Sequence, residues 1–125
     1  MFEITKRFTF EASHQLPWHQ GKCQRLHGHS YKLEVTLESQ GLDHNGIVVD
    51  FDVLSEIVDK GVVKRFDHQH LNEFFENPTA EVIALEVYRI IAVTLRLNGQ
   101  STVRVSCVKL WETEKCSVTV SNLAV

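Results

Sequence analysis

Residues 2 to 14 alternate: Phe2, Ile4, Phe8, Phe10 and Ala12 occupy even positions, while Glu3, Thr5, Arg7, Thr9 and Glu11 occupy odd ones. Successive side chains of a strand point to opposite faces, so this run predicts a half-buried strand, with Lys6 its one exception. The chain must then supply a neighbouring strand and an apolar layer to cover the even face. If the pleat continues, His14 falls on that same inward face. A loop over Leu16 to Leu26, with Pro17 and Gly21, leads to a second alternating run. It covers residues 29 to 38 and places Tyr31, Leu33, Val35 and Leu37 on one face, and His27 and His29 share their parity.

The middle of the chain changes period. Asp43-His44-Asn45-Gly46 is a turn signal, after which Asp50 or Asp52 can cap a helix with apolar positions Phe51, Leu54, Ile57, Val58 and Val62. Gly61 leaves the end of that helix open. Asn77-Pro78-Thr79 opens a second helix, with Thr79 as N-cap, Glu81 in the first turn, and Ile83, Val87, Ile90, Ile91 and Leu95 on one face. Asn98-Gly99 closes it. Residues 102 to 111 read as a strand whose apolar parity shifts from Val103, Val105 and Cys107 to Val108 and Leu110, which implies a bulge or burial on both faces. Residues 112 to 115 connect it to a last strand in which Cys116, Val118 and Val120 alternate with Ser117, Thr119 and Ser121.

Strands adjacent in sequence with no helix between them pair antiparallel. The expectation is therefore an α+β fold, ββααββ, with an antiparallel four-stranded sheet and two helices on one face. Such a sheet has two open edges, which natural proteins cover or pair, so a homo-oligomer joined edge to edge is expected.

At 125 residues and 43% hydrophobic, the chain is expected to be a single domain over residues 1–125 with its own core. The net charge of -3 and the lack of a basic stripe argue against nucleic acid as a partner. No apolar run approaches the roughly 20 residues that span a bilayer. The opening Met-Phe-Glu-Ile-Thr-Lys-Arg is a charged alternation rather than a signal peptide, so no membrane association and a cytoplasmic location are expected. Three cysteines, an odd number, do not make a disulfide framework. The compositional excess is histidine: seven residues, four of them in the pairs His27/His29 and His68/His70.

In Cys23-Gln24-Arg25-Leu26-His27-Gly28-His29 the two histidines at i and i+2 of an extended chain point to one side, and Gly28 presents no side chain between them. That spacing suits zinc chelation. A catalytic zinc takes three protein ligands and keeps one position open, and His14, at the end of the neighbouring strand, is the best third ligand. The alternative is three ordinary polar residues at strand ends. Cys23 reads either as a fourth ligand closing a structural site or as a base beside an open one, with Lys22 and Arg25 favouring its thiolate. Cys107 and Cys116 read as small buried hydrophobes on apolar strand faces. Asp67-His68 is a carboxylate–imidazole pair of the kind used for acid–base work, although sequence neighbours often do not touch. Glu112 is either a solvated turn residue or a carboxylate able to accept two parallel N–H bonds from a guanidine-like ring edge.

Together these motifs resemble the zinc-dependent pterin synthase family that includes the 6-pyruvoyl- and 6-carboxytetrahydropterin synthases. The match runs over nearly the whole chain. Phe10-Glu11-Ala12-Ser13-His14 and His27-Gly28-His29-Ser30-Tyr31 look like the family's two metal motifs, and the resemblance implies Zn2+ held by His14, His27 and His29. It further implies that Cys23 is the catalytic proton acceptor, that Asp67 and His68 supply a charge relay to it, and that Glu112 grips the pterin. Asn77-Pro78-Thr79-Ala80-Glu81 matches the helix start beside the pterin pocket, with Thr79 as a substrate-binding residue.

The fold implied is the tunnelling fold, in which subunits join their sheets into a barrel and trimers pair into hexamers. Three residues separate Cys23 from His27, the short form that resembles the branch making 6-carboxytetrahydropterin for queuosine and related deazapurines. The pyruvoyl-forming branch resembles a five-residue gap. The implied reaction converts 7,8-dihydroneopterin triphosphate to 6-carboxytetrahydropterin with release of triphosphate and a two-carbon aldehyde. Lys22, Arg25 and Lys115 are candidates to meet the triphosphate. The rivals are the pyruvoyl-forming reaction, which eliminates triphosphate only, and a non-catalytic zinc- or pterin-binding module.

Overall fold

In the computed structural model, which describes residues 1–124, the first alternating run forms β1 (Phe2–His14). It pairs antiparallel with β2 (His27–Ser39) along its whole length, from Phe2 opposite Ser39 to His14 opposite His27. β2 begins two residues earlier than the alternation predicts, so all three histidines of interest lie at one end of one hairpin. The inward face carries Phe8, Phe10, Tyr31, Leu33, Val35 and Leu37, all buried. Lys6, the exception in the pattern, directs its ammonium to Ser55 Oγ on the first helix, which satisfies an inward charge with a polar partner.

That first helix (Phe51–Val58) is capped by Asp50, whose side chain accepts from the Asp52 N–H at 2.7 Å. Gly61 does not end it: a π-helical stretch (Asp59–Val63) and a last turn (Lys64–Phe66) carry the chain on. A Cβ at residue 61 would stand 2.9 Å from Ile90 Cγ2, so glycine there permits close approach to the second helix. The second, long helix (Ala80–Leu97) buries Ile83, Ala84, Val87, Tyr88, Ile91 and Leu95 against the sheet. Thr79 caps it, accepting from the Val82 N–H at 3.2 Å. Gly99, at φ +74, follows its end in the left-handed region that favours glycine. Thr79→Ala is expected to lower stability by about 1 kcal/mol in urea unfolding, while Thr79→Ser retains most of it.

β4 (Arg104–Thr113) pairs with β2 and then with β5 (Cys116–Ser121), both antiparallel. The shifted parity is a bulge: Val105 lies opposite Leu37 and Cys107 opposite Thr36, with Ser106 the extra residue. Val105 and Val108 therefore both face the core.

Two expectations are corrected. Among the described residues the sheet has five strands and is mixed rather than antiparallel, because a short strand over residues 69–70, here β3, gives the order β3-β1-β2-β4-β5. The added β3 (Gln69–His70) lies parallel to β1, pairing Ala12 with Gln69 and Ser13 with His70. Two residues between helices carry no readable alternation, and the pairing is selected by the β1 edge they meet. Cys116 is exposed because β5 is an edge strand whose faces are not fully covered, and Cys107 is only partly buried because the bulge turns it to the outer face of β4, opposite Thr36. Among the described residues no helix is long and apolar enough to cross a membrane.

Candidate metal centre and its cavity

Because β1 and β2 end together, His14, His27 and His29 meet on the inward face beneath the start of the long helix. Their ligand atoms all lie within 4.8 Å of one another. His14 is fully buried, and the other two are partly exposed. The His14 Nδ1 is 2.8 Å from the Pro78 carbonyl oxygen, and the His27 Nδ1 is 2.7 Å from that of Arg25. A carbonyl only accepts, so each Nδ1 carries the proton and each Nε2 presents a lone pair. Yet the two Nε2 atoms face each other at 3.0 Å. Two lone pairs at that distance repel unless a proton or a metal ion is shared between them.

The His29 Nε2 is buried with no hydrogen-bond partner among the described residues. Burial, reinforced by His14 and His27 and opposed by Glu112, lowers the pKa of His29 and keeps it neutral, the form that binds metal. Tetrahedral zinc with bonds of about 2.0–2.1 Å separates its nitrogen ligands by roughly 3.3 Å, close to the 3.0 Å between the His14 and His27 Nε2 atoms and within the 4.8 Å that bounds the group. The donor set, the fixed tautomers and the orphaned nitrogen fit a metal ion. Neither Cys23 nor Glu112 belongs to the convergent group.

Cys23 lies on a short 3₁₀ turn (Lys22–Gln24), anchored by its carbonyl, which accepts from the Leu16 N–H at 2.7 Å. Its side chain lines a cavity of about 340 Å³ shared with Leu16, Trp18, His19, Thr79 and Glu112. Glu112 reaches it through a second irregularity in β4. Trp111 pairs with Ser117 and Thr113 with Cys116, so Glu112 is the unpaired extra residue, and such a bulge re-aims its side chain. Its carboxylate stands 3.9 Å from the His14 Nε2 and 3.8 Å from the His29 Nε2, beyond hydrogen-bond length. Glu112 is therefore not a solvated turn residue but a carboxylate beside the histidines.

Asp67 and His68 do touch: the His68 Nδ1 is 2.9 Å from an Asp67 oxygen. The Glu11 N–H, donating at 2.8 Å, and then His68 hold the Asp67 carboxyl below the usual carboxylate range. His68 adopts φ 59, an uncommon conformation for a residue with a side chain, and that side chain is 78% exposed. The pair does not share the cavity of Cys23. His68 lines a different one, of about 560 Å³, with Glu11, Ser13, Ser30 and His70. Lys22, Arg25 and Lys115 are exposed.

Four participants escape the sequence reading. The Pro78 carbonyl and the Arg25 carbonyl are backbone groups, with no side-chain signal. Cys116, read as buried, lines the cavity instead. Tyr31 reads as core, and its ring is indeed buried, stacked on Phe10 with centroids 5.0 Å apart. Its hydroxyl, however, has no hydrogen-bond partner. Burial, then Glu112 and Cys23, raise the pKa of this phenol, which stays protonated.

Residues 3–122 match the family described as 6-pyruvoyl tetrahydropterin synthase. A relative from Synechocystis sp., named 6-carboxy-5,6,7,8-tetrahydropterin synthase, is 45% identical over 94 residues, covering 70% of this chain and 73% of its own length. The protein of that name from Haemophilus influenzae is 36% identical, with 90% and 94% covered. A dihydroneopterin monophosphate aldolase from Pyrococcus furiosus is 39% identical, with 87% and 88% covered. The solved 6-pyruvoyl tetrahydropterin synthase of Caenorhabditis elegans superposes with a TM-score of 0.83 at 24% identity, covering 98% of this chain and 96% of that one, and so shares its fold. With that match over residues 3–122, the chain belongs to the 6-pyruvoyl tetrahydropterin synthase family.

Proposed function

We propose that this chain is a zinc-dependent 6-carboxytetrahydropterin synthase. It takes 7,8-dihydroneopterin triphosphate and water to 6-carboxy-5,6,7,8-tetrahydropterin, acetaldehyde and triphosphate. The observation that carries the reading is the convergence of the three histidines, the Cys23 thiol and the Glu112 carboxylate around one inward-facing site. Relatives bearing that activity in their names support it.

His14, His27 and His29 would hold the zinc, which when bound supplies a Lewis acid that polarises hydroxyl oxygens of the substrate side chain. Glu112 accepts paired N–H bonds from the guanidine-like edge of the pterin and orients the ring. Cys23, outside the ligand group, takes the proton from the adjacent carbon. Thr79, at the cavity wall, borders the ring. His68, paired with Asp67, opens on another cavity of the same chain, one that also touches His29, and a relay from this pair to a cysteine is made between copies. This favours a homo-oligomer, a hexamer built as a dimer of trimers with sheets joined into a barrel. A single folded domain in the cytoplasm, feeding queuosine or a related deazapurine, completes the reading.

The test is to incubate pure zinc-loaded enzyme with 7,8-dihydroneopterin triphosphate, trapping volatile aldehyde and following the pterin by mass. One equivalent of acetaldehyde with a 6-carboxy product is expected. A three-carbon side chain kept as pyruvoyl, with no aldehyde, sinks the reading in favour of the pyruvoyl-forming synthase.

A further inference from the structure

Two polar groups of the site make no hydrogen bond among the described residues, and both stand against the His29 imidazole. The Tyr31 hydroxyl is buried and bonded to nothing, although an unmade bond of this kind costs roughly 1–3 kcal/mol. The Glu112 carboxylate, 24% exposed, meets only two imidazole nitrogens, at 3.8 and 3.9 Å. The last ladder pair between β2 and β4 is Lys32 with Trp111. One antiparallel step past that pair lie Tyr31 and Glu112, each of which stands against the His29 imidazole, Tyr31 at 5.5 Å between ring centroids and Glu112 at 3.8 Å from Nε2. The tyrosine ring is also held on its other sides, by Phe10 at 5.0 Å and His29 at 5.5 Å between centroids, so its hydroxyl has a fixed place.

We propose that Tyr31 is a positioning residue for Glu112: as the carboxylate turns from the imidazoles toward a bound ligand, the Tyr31 hydroxyl donates to one of its oxygens, which keeps a second lone pair, and so holds both oxygens toward the ligand's paired N–H donors. This rests on the pterin-binding reading given above. It explains why an otherwise apolar core position carries a hydroxyl. A phenylalanine would pack equally well there and would leave no unmade bond. The bond is made only in the liganded state, so its worth appears in binding rather than in folding.

The experiment is a double-mutant cycle on the zinc-loaded protein, with neopterin as the probe and its fluorescence as the binding signal. Tyr31→Phe is expected to weaken neopterin binding roughly tenfold or more, as for loss of a bond to a charged group. Zinc content should stay at that of the unmodified protein. The thermal midpoint should stay level or rise, because the removed hydroxyl has no partner in the ligand-free fold. In a Glu112→Gln background the same change should alter affinity by less than about twofold, since the cycle isolates the pair. Equal weakening in both backgrounds, unchanged affinity in the parent background, or a lowered midpoint without weaker binding overturns the assignment. If the unmodified zinc-loaded protein itself fails to bind neopterin, the pterin reading falls, and the Tyr31 assignment with it.

Discussion

His27→Ala and His29→Ala are each expected to reduce bound zinc from about one per chain to near zero and to abolish turnover. Loss of an outer hydrogen-bonding partner of a metal ligand already costs about 10–100-fold in metal affinity or activity, so loss of a ligand should exceed a hundredfold. Two features make the expectation sharp. The His27 Nε2 faces the His14 Nε2 at 3.0 Å with both Nδ1 atoms committed to carbonyls, and the His29 Nε2 is buried without any other partner. Removing either imidazole leaves two ligands, fewer than a catalytic zinc requires. Elemental analysis after gel filtration, with the aldehyde assay on the same sample, reads both effects. Full zinc occupancy in either variant would refute the ligand assignment.

Cys23→Ala should separate metal from chemistry in the opposite way. The thiol lines the cavity but stands outside the convergent histidine group, so the variant should keep about one zinc per chain. Turnover should nevertheless fall by roughly 10²–10⁴, the usual worth of a positioned acid–base group. Cys23→Ser, with a hydroxyl that is a far poorer base near neutral pH, should be nearly as inactive. A Cys23→Ala protein that sheds its zinc would instead mean a closed site of three histidines and one cysteine, and a binding module rather than an enzyme.

The histidine cluster was legible in the sequence because strand parity is a strict period of two. Once His14, His27 and His29 share the parity of Phe10 and Tyr31, pairing β1 with β2 leaves them no other face. Caps were legible for a similar reason, since Asp50 and Thr79 act within three residues of their own position. The β4 bulge at Ser106 showed as a shift in apolar parity. The second bulge, at Glu112, had no such mark, because it falls where the apolar pattern stops. β3 was hidden because two residues have no periodicity. The distance between Asp67–His68 and Cys23 was illegible for a deeper reason: resemblance assigns roles without saying whether one chain or several supply them.

The hydrogen bond from the His14 imidazole to the Pro78 carbonyl joins residues 64 apart, the end of the first strand and the residue before the cap of the long helix. It gives the ion a thermodynamic reach beyond its own ligands. Binding free energy that favours one orientation of His14 also favours the docked state of that helix start, and the favour is returned as affinity. A metal ion held by His14 would therefore be linked to the Thr79-capped first turn: whatever frays the turn would loosen the ion, and chelating the ion would loosen the turn. Since Thr79 and Ala80 also wall the cavity, loss of such an ion would loosen the pocket on the side where no ligand atom lies.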